Sequence, residues 1–347
     1  MQRRAVIHSL VLAVCGVLLL GAPLALGSYG LTVLTEIVIF ALFAMSTNLL
    51  LGYTGLASLG QSAFFGMGGY CVAILAKDFN LHSAATLLAA IGAGAVLALV
   101  TGPVVLRSTG TYFLMLTLAL TQVLFGVAWF LPGITGGDNG LGGIARPTLP
   151  LVGDVLRGTT AFYYFSLVCV GIGIAILAWL VNSGFGLALQ GVRENELVAA
   201  GLGHPVWWLK YLAYIIAGAL SALAGGLYTF LTSFVGTSYF GIALSAEVLV
   251  MVILGGSRSF WGPAIGAGLV ILLRDEVSSW TQRWLLVLGL LFVVTVLFLP
   301  GGIATLPERL SQVRRKQRGQ QPLVSVAKSL TPVQSVESAT SHQERVP

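Results

Sequence analysis

The sequence predicts an all-α polytopic membrane protein of about ten transmembrane helices (eight to ten), some interrupted by glycine. Three observations carry that prediction. Hydrophobic residues make up 56% of the chain and charged residues only 9%, with a mean hydropathy of +0.93. Soluble domains carry about a quarter charged residues, and a soluble core of this length has no room for so much apolar surface. Apolar runs near the roughly 20 residues that a spanning helix needs recur along the chain. The 44 glycines cluster at a few places within those runs.

In order, the candidate spans are 8–27, 31–51, 56–77, 83–106, 111–131, 161–181, 209–231, 244–256, 259–273 and 284–300. The first also fits a secretory signal, with a basic start, an apolar middle and small residues near its end. Retention as a helix is the expectation, because the next apolar run follows almost at once. The eighth and ninth are short and joined by "GSRSF", so they form one kinked helix or a re-entrant pair. Residues 1–306 are read as the membrane domain. Residues 307–347, rich in Ser, Gln, Glu and Pro, are read as a disordered tail.

With the N-terminus inside, Arg3, Arg4, Arg107, Arg193, Lys210, Arg258 and the tail fall in the cytoplasm. Lys77, Arg146, Arg157, Arg274 and Arg283 fall outside. The basic run Arg314–Arg318 beside the last span tips the balance toward a cytoplasmic tail. That run is a membrane flank, and no nucleic-acid partner is expected. Cys15, Cys71 and Cys169 lie singly in apolar runs, without the spacing of a metal site or a disulfide framework. The four histidines are equally scattered, so no metal is expected.

No G-x-x-x-x-G-K-[ST] phosphate loop occurs, and no nucleophile elbow. The chain is therefore expected to be neither an ATPase nor another enzyme, and to bind no cofactor. Intramembrane acids are few. Glu36 and Glu247 stand near the ends of their spans, where the headgroup region would solvate them. Proton-coupled carriers tend to line a path with several buried acids, so a carrier is disfavoured.

Four stretches stand out from the apolar background. "NLLLGYTGLASLGQSAFFGMGGY" sets Gly52, Gly55, Gly60, Gly66, Gly68 and Gly69 among small and polar residues. It reads either as close helix packing or as a broken helix whose backbone lines a polar cavity. In the second case Asn48, Gly55, Ser58, Gln61, Ser62 and Gly66 line a translocation pathway. "LGGSRSFWGPAIGAG" repeats the theme near the other end, and paired interruptions of this kind point to a transport site. "LPGITGGDNGLGG" is a turn-rich loop on the outer face, with Gly137, Asp138 and Asn139 as candidate contacts for an external partner. "SGFGLALQGVRENELVAAGLGH" places three charges in four residues, Arg193 to Glu196, as a polar helix between apolar spans.

Taken together, these stretches resemble the LivM-type permease subunits of branched-chain amino acid ABC importers. "GTYFLMLTLALTQVLF", "SAEVLVMVILGGSRSFWGPAIGA" and "LVLGLLFVVTVLFLPGGI" extend the resemblance, in the family's order, over most of residues 30–303. The resemblance implies that loop 183–206 is the coupling helix of the bacterial inner-membrane permease. Its Glu-x-x-Ala-Ala-x-x-Gly pattern falls on Glu196, Ala199, Ala200 and Gly203, with Arg193, Glu194 and Gly201 beside it. The implied partners are a second, LivH-like permease, two cytoplasmic ATPases that hydrolyse the ATP, an extracytoplasmic solute-binding protein and membrane lipid. Urea or short amides are the alternative solutes for the same machine. An ion-coupled carrier or channel is the alternative of another class.

Overall fold

The computed structural model describes residues 19–23, 26–78, 83–144 and 158–280, with single positions between 286 and 302. The described residues belong to a compact unit, Met1–Thr305. Most of the expected first span, the last span 284–300 and the expected tail lie outside the described residues.

Eleven helices run in order among the described residues with printed bounds: α1 (Ser28–Asn48), α2 (Gln61–Asp78), α3 (Ser83–Val105), α4 (Thr111–Phe130), the single turn α5 (Pro132–Thr135), α6 (Thr159–Asn182), α7 (Gly184–Glu194), α8 (Glu196–Gly201), α9 (Val206–Thr232), α10 (Ile242–Gly255) and α11 (Gly262–Trp280). A π-helical segment, Leu49–Thr54, continues α1, and two-residue strands β1 (Leu141–Gly142) and β2 (Phe234–Val235) pair antiparallel. Among the described residues, five helices are long and apolar enough to cross a membrane: Ser28–Thr54, α3, α4, α6 and α9.

Burial sorts these five. Ser28–Thr54 and α9 are 78% and 72% buried, whereas α3, α4 and α6 are 22–28% buried and turn apolar residues such as Leu88, Phe130 and Trp179 outward. A helix that is apolar all round suits either setting, so what fixes the centre is close approach. A Cβ on Gly68 of α2 would land on the Ala222 carbonyl of α9, and one on Gly225 would land on the Phe65 carbonyl. Without an excluded-water drive between helices, such contact of small residues supplies the packing. Rings fill the space beside it, with Phe43 and Phe65 4.7 Å apart and Phe40 edge-on to Tyr228 at 5.3 Å.

Two expectations are corrected, and one that stood between two readings is decided. The span expected at 56–77 does not begin at 56: the π turn ends on Gly55 at φ 75°, the chain is non-helical to Gly60, and α2 starts at Gln61. The segments 244–256 and 259–273 are two separate helices packed against each other. A Cβ on Gly266 of α11 would meet the Met251 carbonyl of α10, and Gly256 makes the intervening turn at φ 108°. Helix α11 also continues to Trp280, so Arg274 lies on a helix rather than in a loop.

Candidate functional site

The charged loop is two helices rather than one. Ser183 caps α7 by accepting from the Phe185 N–H at 3.3 Å. Asn195 then breaks the helix with extended backbone (φ −157°), and its side chain accepts from the Leu197 and Val198 N–H groups at 3.1 Å each. An Asx side chain does this well because its oxygen replaces the missing intrahelical acceptor. Gly203, at φ 87°, turns the chain out of α8, while Gly201 closes the helix without a positive φ.

Of the pattern residues, Ala199 is buried and Ala200 exposed. The Glu196 carboxylate accepts from Lys210 Nζ at 2.6 Å, pinning α8 to the start of α9. Among the exposed polar residues of the two helices stand four large apolar ones. Leu187, Leu197, Val198 and Leu202 are 67%, 85%, 56% and 76% exposed, an uncovered patch of the kind that marks an interaction surface.

Arg193 ties this loop to the bundle. Its guanidinium donates to the Gly52 carbonyl in the π segment, and its stem packs against Gly55. The turn after α10 arrives at the same place: Ser257 lies against Gly52, and Asn48 Nδ2 donates to the Ser259 carbonyl at 3.4 Å.

Beyond Gly55, the break is lined by hydroxyls. Leu59 N–H donates to Thr117 Oγ1 at 3.1 Å, and Thr121 Oγ1 donates to the Leu59 carbonyl at 3.2 Å. Gly60 N–H donates to Ser58 Oγ at 3.1 Å, and Ser62 N–H to Ser245 Oγ at 3.3 Å. Ser46, Ser221 and Gln61 form a chain of hydrogen bonds of 2.9 and 2.8 Å. The structure thus brings Ser58, Gln61 and Ser62 together and buries them, while Gln61 Nε2 and Asn48 Oδ1 have no partner. Gly66 stands apart from them, packed on the Phe240 ring. The i, i+4 pair Thr117 and Thr121 on a mostly apolar helix was the available signal for this junction.

At the opposite end of the bundle, "LPGITGGDNGLGG" folds back on the segment after α9. Leu141 pairs with Val235 and Gly142 with Phe234. Asp138 and Asn139 are exposed, but Gly137 is buried under Pro132, so it shapes the turn rather than presenting a surface.

Three charged groups and a tyrosine meet near this end. Arg274 contacts the Glu36 carboxylate and, at 3.3 Å, that of Glu247, and Tyr228 donates to Glu36 at 3.3 Å. Glu247 is 7% exposed. Both acids are therefore paired with a guanidinium rather than left to headgroup water. The missed signal was their own need for a cation at similar depth.

Residues 29–296 match the family model described as the permease component of the branched-chain amino acid transport system. The chain belongs to this family. Similar relatives are the LivM high-affinity branched-chain amino acid permease proteins of Salmonella typhimurium, at 26% identity over 85% of this chain and 74% of that one, and of Escherichia coli, at 27% over 81% and 71%. A probable LivH permease protein of Methanocaldococcus jannaschii is 26% identical over 76% of this chain and 88% of its own. No solved structure matches. The chain is thus a LivM-type membrane permease, a transport subunit rather than a catalyst. Its matched region includes both the Asn195-jointed loop and the hydroxyl-lined break.

Proposed function

We propose that this permease carries branched-chain amino acids across the bacterial inner membrane within an ABC importer, driven by ATP that separate subunits hydrolyse. The single observation that carries the reading is the bond from Arg193 to the Gly52 carbonyl. It joins a charged loop with an uncovered apolar face directly to the π segment of the central helix, next to the break. Loop 183–206 is the coupling element, with Leu197 and Leu202 toward an ATPase and Arg193, Glu194, Glu196, Ala199, Ala200, Gly201 and Gly203 shaping it.

Nucleotide-driven closure of two ATPases displaces the loop, and Arg193 passes that displacement to α1. The ligand does this work only through its differential affinity for the two states. Asn48, Gly55, Ser58, Gln61 and Ser62 border the pathway, whose closed state satisfies the break with hydroxyls. A topology of about ten spans puts loop 183–206 and the tail 307–347 in the cytoplasm. Asp138, Asn139 and the Thr232–Leu244 connection then face an extracytoplasmic binding protein, and a LivH-like permease completes the membrane unit.

The test is uptake of labelled leucine and labelled urea, with and without the gene, before and after ATP depletion. Gene- and ATP-dependent leucine uptake is expected. Urea uptake alone would keep the machine and change the solute. Uptake that survives ATP depletion but collapses with the ion gradient would overturn the ABC reading.

A further inference from the structure

Where the π segment, α7 and the turn after α10 meet, a polar cavity of about 450 Å³ is lined by Gly52, Tyr53, Gln190, Arg193, Glu194 and Arg258. Two guanidinium groups face one carboxylate there. Arg193 uses part of its donor set on the Gly52 carbonyl, but a guanidinium carries five N–H donors in a fixed fork. Arg258 is exposed, and among the described residues it pairs with no carboxylate. The cavity therefore sets two guanidinium groups against a single carboxylate, leaving an excess of directed, positively charged donors.

We infer that this cavity binds a phosphate group between Arg193 and Arg258, and that the phosphate is the headgroup of an anionic membrane phospholipid. Planar guanidinium forks match phosphate oxygens in a bidentate way that ammonium groups do not. A few hundred Å³ is ample for one small headgroup. The depth is right for lipid. Gly52 and Tyr53 belong to the end of the span Ser28–Thr54, and Arg258 is followed by the ring pair Phe260 and Trp261, with Trp261 38% exposed. Tryptophan at the end of a span marks the headgroup layer. At that layer anionic lipid is concentrated against basic side chains, as free phosphate is not. The inference goes beyond the transport reading and needs only that the cavity lie at the membrane surface. A bound headgroup would bridge α7 to the turn after α10 and stiffen the contact that Arg193 makes alone.

The experiment uses the complex purified through a tag on this chain and stripped of lipid in neutral detergent. Binding of dioctanoyl phosphatidylglycerol, dioctanoylglycerol and inorganic phosphate is compared by native mass spectrometry and by the unfolding midpoint. The phosphatidylglycerol is expected to bind and raise the midpoint, and dioctanoylglycerol to do neither. Arg258→Gln, on an exposed unpaired side chain, is expected to weaken that binding about tenfold or more, and Arg258→Lys to lose part of it. Inorganic phosphate that binds as tightly as the lipid, and depends equally on Arg258, would overturn the lipid as the source. Equal binding of the phosphate-free lipid, or lipid binding unchanged in Arg258→Gln, would overturn the site.

Discussion

The Arg274 guanidinium of α11 is ion-paired with the Glu36 carboxylate of α1 across 238 positions of sequence. The same group reaches Glu247 on α10, and its carbon centre lies 5.9 Å from the Phe40 ring. One cation thus holds three helices together at one end of the bundle. At the other end, the same α1 and the turn after α10 meet through Asn48 and Ser259.

Removing the cation should therefore cost more than removing an exposed one. With side chains 23% and 17% exposed, Arg274→Ala is expected to destabilise the folded protein by about 3 kcal/mol, the lower end for breaking a buried pair. The exchange of Glu36→Arg with Arg274→Glu should recover part of that. Unfolding of the detergent-solubilised protein measures both, and a double exchange no better than either single change would refute the pairing.

Close approach at the centre gives a second expectation. Gly68→Val puts bulk onto the Ala222 backbone and should abolish a monodisperse, extractable protein. Gly171, in the outward-facing α6, has nothing within 4 Å of a Cβ. Gly171→Ala should be tolerated, and by removing glycine from a helix should stabilise slightly. Size-exclusion profiles of the two variants decide the matter.

Asn195 is the joint of the loop. Asn195→Ala removes the acceptor for two N–H groups and is expected to cost the local helix about 1 kcal/mol. Hydrogen exchange over residues 196–203 should quicken by roughly fivefold, while Asn195→Asp should leave it unchanged. Identical exchange in the alanine variant would show that packing, not the cap, holds α8.

Spans such as 83–106, 111–131 and 161–181 were legible because an apolar run of membrane length has few other uses, and the structure places α3, α4 and α6 there. The break around Gly55 was legible as one of two readings, since glycine permits both close packing and a positive φ. What stayed hidden was pairing over distance. Leu141 with Val235, and Arg274 with Glu36, depend on tertiary approach that leaves no periodic trace. The division of the loop at Asn195 was hidden for a local reason: Arg193-Glu194-Asn195-Glu196 reads as a continuous helical turn until the Asn side chain competes for the backbone.

The apolar face of the loop predicts a partner surface. Leu197→Asp and Leu202→Asp alter exposed side chains, so neither should change the unfolding midpoint. Both should cut co-purification of ATPase subunits about tenfold or more, as expected when an interface anchor is truncated. Retention of the ATPases at the normal ratio would place their docking elsewhere.

Gln61 separates a pathway residue from a packing residue. Its Oε1 accepts from Ser221 at 2.8 Å, while Nε2 is buried without a partner. An orphan donor of this kind costs about 1–3 kcal/mol, so replacing the amide by an apolar group of similar size should leave stability nearly unchanged or raise it. Ser221 would keep its bond to Ser46 at 2.9 Å. If the donor is retained because it meets solute in another state, Gln61→Leu should lower uptake about tenfold, the loss of one hydrogen bond worth about 1.4 kcal/mol. ATPase association should be unaffected. Undiminished uptake in a folded Gln61→Leu complex would remove Gln61 from the pathway and leave it a packing residue at the start of α2.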